Sequence, residues 1–157
     1  MKSTNRLLSV AISLIGLLAV VIGAVFIFQG ISKNNLITGR MDVEKVALAV
    51  NPDKPDELTP INNSADAQKA ADLIAEHRRS ISPSYQDLLG DGRFDPTNPK
   101  HLTYAQAMNL ENYLYLAVTA FGLVQVVLAT GAFMIIVGVA LGLVGIALYR
   151  APATRTA

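Results

Sequence analysis

Two apolar runs separated by a polar segment of about 80 residues constrain this chain more than any other feature. The first, Leu7 to Ser32, and the second, Asn112 to Tyr149, contain no charged residue. An α-helix needs about 20 apolar residues to cross a hydrocarbon layer of about 30 Å, and each run exceeds that. The expected fold is mainly α: a two-span transmembrane helical hairpin with a small extramembrane module.

Composition agrees with that class. Charged residues make up 16% of the chain and hydrophobic ones 52%, against about 25% charged in an ordinary soluble domain. The deficit is local. All twelve acidic residues lie between Asp42 and Glu111, and nine of the thirteen basic ones between Lys33 and Lys100, which gives that middle segment a charge of −3. The other four, Lys2, Arg6, Arg150 and Arg155, flank the outer ends of the apolar runs. No basic cluster stands beside base-stacking aromatics, so no nucleic-acid partner is expected. With no cysteine in the chain, disulfides, thiolate metal sites and a thiol nucleophile are excluded.

The first run reads as a retained signal anchor. Its apolar stretch is longer than the 7 to 15 residues usual in a cleavable signal, and Gly30-Ile31-Ser32 is a poor match to a cleavage site. Leu7 to Phe28 include fifteen Leu, Ile, Val or Phe residues, which favour insertion by roughly 5 to 9 kcal/mol. Both termini then lie on one side. Lys33, Arg40 and Lys45 follow the first span, but long loops translocate largely regardless of charge, while the acid-free tails hold their basic residues close to a span. The expected topology in the inner membrane is a cytoplasmic 1–6, a first span over 7–32, an extracytoplasmic module over 33–103, a stalk and second span over 104–149, and a cytoplasmic tail over 150–157. Residues 33–111 are thus extracytoplasmic.

Glycine spacing suggests how the spans meet. Gly16, Gly23 and Gly30 recur every seven residues, with Ser9 one heptad earlier and Ala19 beside them, and Gly131, Gly138 and Gly145 repeat the period, with Gly142 four residues after Gly138. A seven-residue period drifts only about 20° per repeat, so each set forms a narrow stripe. Small stripes let helices approach closely in lipid, where the hydrophobic effect does not drive association. Gly16 with Gly145, Gly23 with Gly138 and Gly30 with Gly131 all carry residue numbers summing to 161, which predicts those three pairings. Two other readings stay open: general glycine enrichment in membrane helices, and stripes aimed at a partner protein.

The second run is too long for one bilayer. Its 38 residues would form a helix of roughly 57 Å, yet it holds no polar turn to divide it. Thr103 and Gln106 have capping-box spacing, and Asn98-Pro99 breaks a preceding helix, so a helix is expected from Tyr104 to Tyr149. Leu114, Leu116, Val118, Phe121 and Val124 then form an apolar stalk that something must cover, and they are expected to face a partner. The candidates are the middle segment, a neighbouring subunit, or lipid. Tyr113, Tyr115, Phe26, Phe28 and Tyr149 suit an interfacial aromatic belt, or simple packing.

The middle segment is expected to be weakly cored. Val46, Leu48 and Val50 alternate with Ala47 and Ala49 as in a short strand. Asn51 to Pro60 reads as a loop, and Ser64 as the cap of a helix over about 65–79, with Asp66 in its first turn, Arg78 and Arg79 in its last, and Ala67, Ala70, Ala71 and Ile74 along one face. Ser82 to Lys100 reads as turns.

Candidate chemistry is thin. His77 and His101 with Glu76 or Glu111 would make a two-histidine, one-carboxylate iron site, but no motif spacing supports it. Asp87, Asp91 and Asp95 do not follow the calcium-loop pattern, and Asn62-Asn63-Ser64 matters only in a glycosylating host. No catalytic, cofactor or metal residue is assigned, and the chain is expected not to be an enzyme.

Asp66-Ala67-Gln68, Ala70-Ala71-Asp72, Ile74, Glu76-His77 and Tyr85, with Ala120-Phe121-Gly122 and the glycine-bearing last run, resemble a family of small two-span bacterial membrane proteins. Its members often carry the automatic label "aromatic ring-opening dioxygenase", which is not carried over, because this sequence shows no iron-ligand set. The resemblance implies an envelope protein of unknown role. Three classes of function follow: an accessory or structural subunit of a larger integral-membrane complex (or homo-oligomer), a stand-alone binding or sensing protein, and, ranked last, a metal-dependent oxygenase. The lipid bilayer is the common partner.

Overall fold

The computed structural model describes residues 2–44, 47–49 and 58–151. Among these the chain is mainly α, in the order α1 (Lys2–Val43), β1 (Ala47–Ala49), β2 (Leu58–Pro60), α2 (Ser64–Ile81), α3 (Tyr85–Leu89) and α4 (Pro99–Arg150). It divides into two compact units, Met1–Lys33 with Val124–Ala157, and Asn34–Leu123.

The first unit holds two antiparallel helical segments. The shares of the apolar runs that fall in it, Leu7–Ser32 and Val124–Tyr149, are 26 residues each, or about 39 Å as helix. Both parent helices are long and apolar enough to cross a membrane, and only 11% and 17% of their most apolar windows are covered by protein. A core helix of a soluble protein would be mostly covered.

The second unit is built on the remaining twelve residues of the long run, Asn112–Leu123. Leu114, Ala117 and Phe121 cluster there with Ile61 and with Ala67, Ala70 and Ala71 of α2, and Ile37, Met41, Ile74, Tyr115 and Val118 pack around them. The alanine face of α2 lets that helix lie close to α4. The excess apolar length of the second run is therefore no bare stalk, because its chain's own module covers one side.

Several boundaries differ from expectation. α1 continues to Val43 rather than ending at Ser32. Thr38 donates its hydroxyl back to the Asn34 carbonyl (3.1 Å), and Ile37 and Met41 gain apolar cover from the module core, so the added turns have packing that local sequence does not reveal. Ser64 does not cap α2. Asn63 does: its side-chain oxygen accepts from the Asp66 N–H (2.9 Å) while its amide donates to the Asp66 carboxylate (2.6 Å), a reciprocal cap. Ser64 is freed to donate to the Val118 carbonyl (3.3 Å).

α4 starts at Pro99, ahead of the expected Tyr104. The Asn98 side chain accepts from the Lys100 N–H (2.9 Å) and Pro99 takes the first helical position, where a missing N–H costs nothing. Thr103 lies inside the helix, donating to the Pro99 carbonyl (2.9 Å), so the Thr103–Gln106 capping box does not form the start. The Ser82–Lys100 segment contains α3, capped by Ser84 accepting from the Asp87 N–H (3.1 Å) and ended by Gly90 at φ 56°, a left-handed conformation that favours glycine. Leu58–Pro60, expected as loop, pairs antiparallel with Ala47–Ala49, Leu48 opposite Thr59. Val46, Val50 and the 51–57 stretch of the expected strand and loop lie outside the described residues.

Candidate functional site

In the first unit Ser9, Gly16, Gly23 and Gly30 on α1, and Val124, Gly131, Gly138 and Gly145 on α4, are buried at seven-residue intervals. For Gly16, Gly23, Gly131 and Gly138 the nearest neighbour is the opposite backbone. A Cβ built on Gly16 would lie 2.6 Å from the Gly138 carbonyl oxygen and 2.8 Å from the Gly142 nitrogen, and one on Gly23 would lie 2.6 Å from the Gly131 oxygen. Contacts this short leave no room for any side chain. Ser9 donates its hydroxyl to the Gly145 carbonyl (2.5 Å).

The register differs from the expected one. Gly16 meets Gly138 instead of Gly145, Gly23 meets Gly131 instead of Gly138, and Gly30 meets Leu128 instead of Gly131. Facing residue numbers sum to between 154 and 158, so the partner helix is displaced by about 4.5 to 10.5 Å at 1.5 Å per residue. A strict heptad makes registers one repeat apart nearly equivalent by size alone. The Ser9 hydroxyl distinguishes them, because in this register it reaches a carbonyl, and a hydrogen bond gained away from water has few competitors. Gly142 contributes its backbone to the Gly16 contact, but a Cβ on Gly142 itself would meet nothing within 4 Å. Ala19 is half-buried.

Of the five stalk residues expected to face a partner, Leu114 and Phe121 are 2% exposed within the module core. Val118 packs against the same core, and Val124 is buried in the first unit. These four are therefore not partner-facing surface; α2 and its neighbours satisfy three of them and the first unit the fourth. Leu116 is different. It is 64% exposed, as is Leu123, and Tyr113 is 71% exposed. Leu116 and Leu123 fall on the helical side away from Leu114, Ala117 and Phe121, with Tyr113 flanking the covered side, so α4 in this unit carries an inner face covered by the module and an outer face on which these large side chains are left open.

A polar network beside that core escaped sequence reading. Arg78 of α2 donates through Nε to Glu111 Oε2 (2.6 Å) and through Nη1 to the Tyr104 hydroxyl (2.5 Å), with its guanidinium also 5.1 Å from the Tyr104 ring centre. Glu111 and Tyr104 are buried. The Glu111 hydrogen bond, aided by its negative charge, raises the Arg78 pKa above its ordinary value against the opposing effect of burial. Arg78 reads in sequence as a helix-terminal charge. Only the tertiary fold brings α2 and α4 together, although an arginine on the alanine side of α2 was a usable signal.

Several other ionisable groups are occupied locally. Tyr115 donates to Asp72 (3.0 Å), and that hydrogen bond raises the tyrosine pKa. Asp95 accepts from the Thr97 hydroxyl (2.7 Å) and N–H (2.8 Å), and the Thr97 side chain foremost lowers its pKa. His101 accepts from the Asp95 N–H (3.0 Å) and stacks on Phe94, while His77 stands exposed on α2. Among the described residues no three histidine, aspartate or glutamate side chains gather as a metal site.

No family model, curated protein or solved structure matches the chain.

Proposed function

We propose that this chain is a non-catalytic inner-membrane protein, a two-span hairpin closed by its glycine seam, that serves as an accessory or structural subunit of a larger integral-membrane complex. The observation that carries the reading is the open face of α4. After the module has covered Leu114, Val118 and Phe121, the side chains of Tyr113, Leu116 and Leu123 still point outward. An apolar strip that the chain's own fold leaves uncovered, next to a helix already packed on its other side, is suited to another protein's helix. Among the described residues no three histidine, aspartate or glutamate side chains converge where they could hold a metal.

In this reading the termini are cytoplasmic and the second unit is extracytoplasmic. Asn62 is exposed and the chain has no cysteine, so a lone Asn62→Cys variant is expected to react with a membrane-impermeant thiol reagent on intact cells. Reaction only after lysis would invert the topology.

Mild-detergent purification from the native membrane tests the function. The expected result is stoichiometric recovery with a larger membrane complex, lost in a Leu116→Ser/Leu123→Ser variant that still inserts. A monodisperse monomer or homodimer from the same membrane would overturn the subunit reading.

A further inference from the structure

We propose that the end of the hairpin carrying Arg6, Tyr149 and Arg150 binds the phosphate of an anionic phospholipid headgroup. In the observed register, where facing residue numbers sum to 154 to 158, Arg6 and Arg150 stand at one level on the two helices. Both are exposed. The Arg6 guanidinium carbon lies 5.8 Å from the centre of the Tyr149 ring, within the range of a cation–π contact, which holds the charge beside a residue type suited to the headgroup layer.

Among the described residues of the unit no acidic side chain neutralises this pair. Met1–Lys33 and Val124–Ala157 contain no aspartate or glutamate. At the opposite end Lys33 falls at the level of Val124 and Gln125, neither of them basic, so the matched pair of cations belongs to one end only. Packed helices stand about 8 to 10 Å apart, a gap that two arginine side chains bridge readily. Each planar guanidinium can donate two parallel hydrogen bonds to a phosphate. A zwitterionic headgroup would bring its own cation against the pair, whereas an anionic one brings only the complement.

This inference rests on the membrane reading above, and the two fail separately. A chain extracted from membranes by alkaline carbonate would sink both, while an embedded chain without lipid preference would sink only this one. The test is native mass spectrometry of the full chain in neutral detergent, with phosphatidylglycerol and phosphatidylcholine added in equal amounts. Wild type is expected to retain phosphatidylglycerol preferentially. Arg6→Gln and Arg150→Gln should each weaken that preference about fivefold, and the double variant about 25-fold, from the usual contribution of one basic residue at an anionic surface. Lys33→Gln should leave it unchanged. Because the double variant could misfold, Arg6→Lys/Arg150→Lys, which keeps both charges, is measured beside it and should fall between wild type and the glutamine pair. Equal retention of the two lipids, an equal loss in Lys33→Gln, or a lysine pair no better than the glutamine pair would overturn the proposal. Displacement of the lipid by excess inorganic phosphate would identify a soluble-anion site instead and overturn it as well.

Discussion

Gly23 and Gly131 face each other so closely that a Cβ on either would fall within 2.8 Å of the other's carbonyl oxygen. Backbone cannot move aside as a flexible side chain can, so a larger residue at either position has to push the helices apart. Gly23→Leu is therefore expected to destabilise the pairing by about 1 to 3 kcal/mol, the usual range for overpacking. Gly142→Ala, whose added carbon meets nothing within 4 Å, is expected to be silent. Steric trapping or denaturant titration in detergent micelles measures both.

The two faces of α4 predict opposite phenotypes. Phe121→Ala removes a ring that is 2% exposed in the module core and should cost about 3 to 5 kcal/mol of stability in the second unit. Leu116→Ala removes an exposed side chain and should change stability by no more than about 0.5 kcal/mol, while weakening recovery of the partner complex. Thermal unfolding and co-purification of the two variants separate the roles.

The Arg78–Glu111 pair is expected to matter most when broken from one side. Arg78→Ala leaves a buried carboxylate without its partner and should cost about 3 to 5 kcal/mol. Replacing both residues with methionine removes the charge as well as the partner and should recover much of that loss. Urea unfolding of the three proteins reads the difference.

Alkaline titration offers a local probe. Tyr115 has a folded pKa raised above its ordinary value by donating to Asp72. The contribution of this hydrogen bond to stability is thus complete below the unfolded tyrosine pKa and lost as pH rises through the raised one. Absorbance difference spectra between wild type and Tyr115→Phe should show this phenol ionising above an ordinary tyrosine, and Asp72→Asn should bring it back toward the ordinary value.

How much of this was legible in the sequence depends on the range of the interaction. Run length and hydropathy sufficed for two long helices, and seven-residue spacing picked out Gly16, Gly23, Gly138 and Gly145 as one stripe on each. The register was not legible, because a period of seven repeats itself. One hydroxyl at Ser9, meeting a carbonyl 136 residues away, distinguishes states that glycine spacing treats alike. The cap at Asn63 was missed because an adjacent serine is an equally good cap by type, and only the Val118 carbonyl shows that Ser64 is otherwise engaged. The apolar surplus from Asn112 to Leu123 was visible as an anomaly. The middle segment stood among its candidate covers but could not be singled out, since alanines 67, 70 and 71 carry too little hydrophobic signal to announce a partner for Phe121.

The hairpin closes in one register, which disulfide cross-linking in native membranes reads out. The absence of cysteine makes each engineered pair unambiguous. Ser13→Cys with Gly145→Cys joins positions in direct contact and is predicted to cross-link rapidly within one chain under mild oxidation, while Ser13→Cys with Leu148→Cys, a pair whose residue numbers sum to 161 and which leaves Gly16 untouched, is predicted to cross-link slowly. Rapid closure of the second pair with none of the first would restore the register that sums to 161, and closure of neither would contradict the hairpin itself.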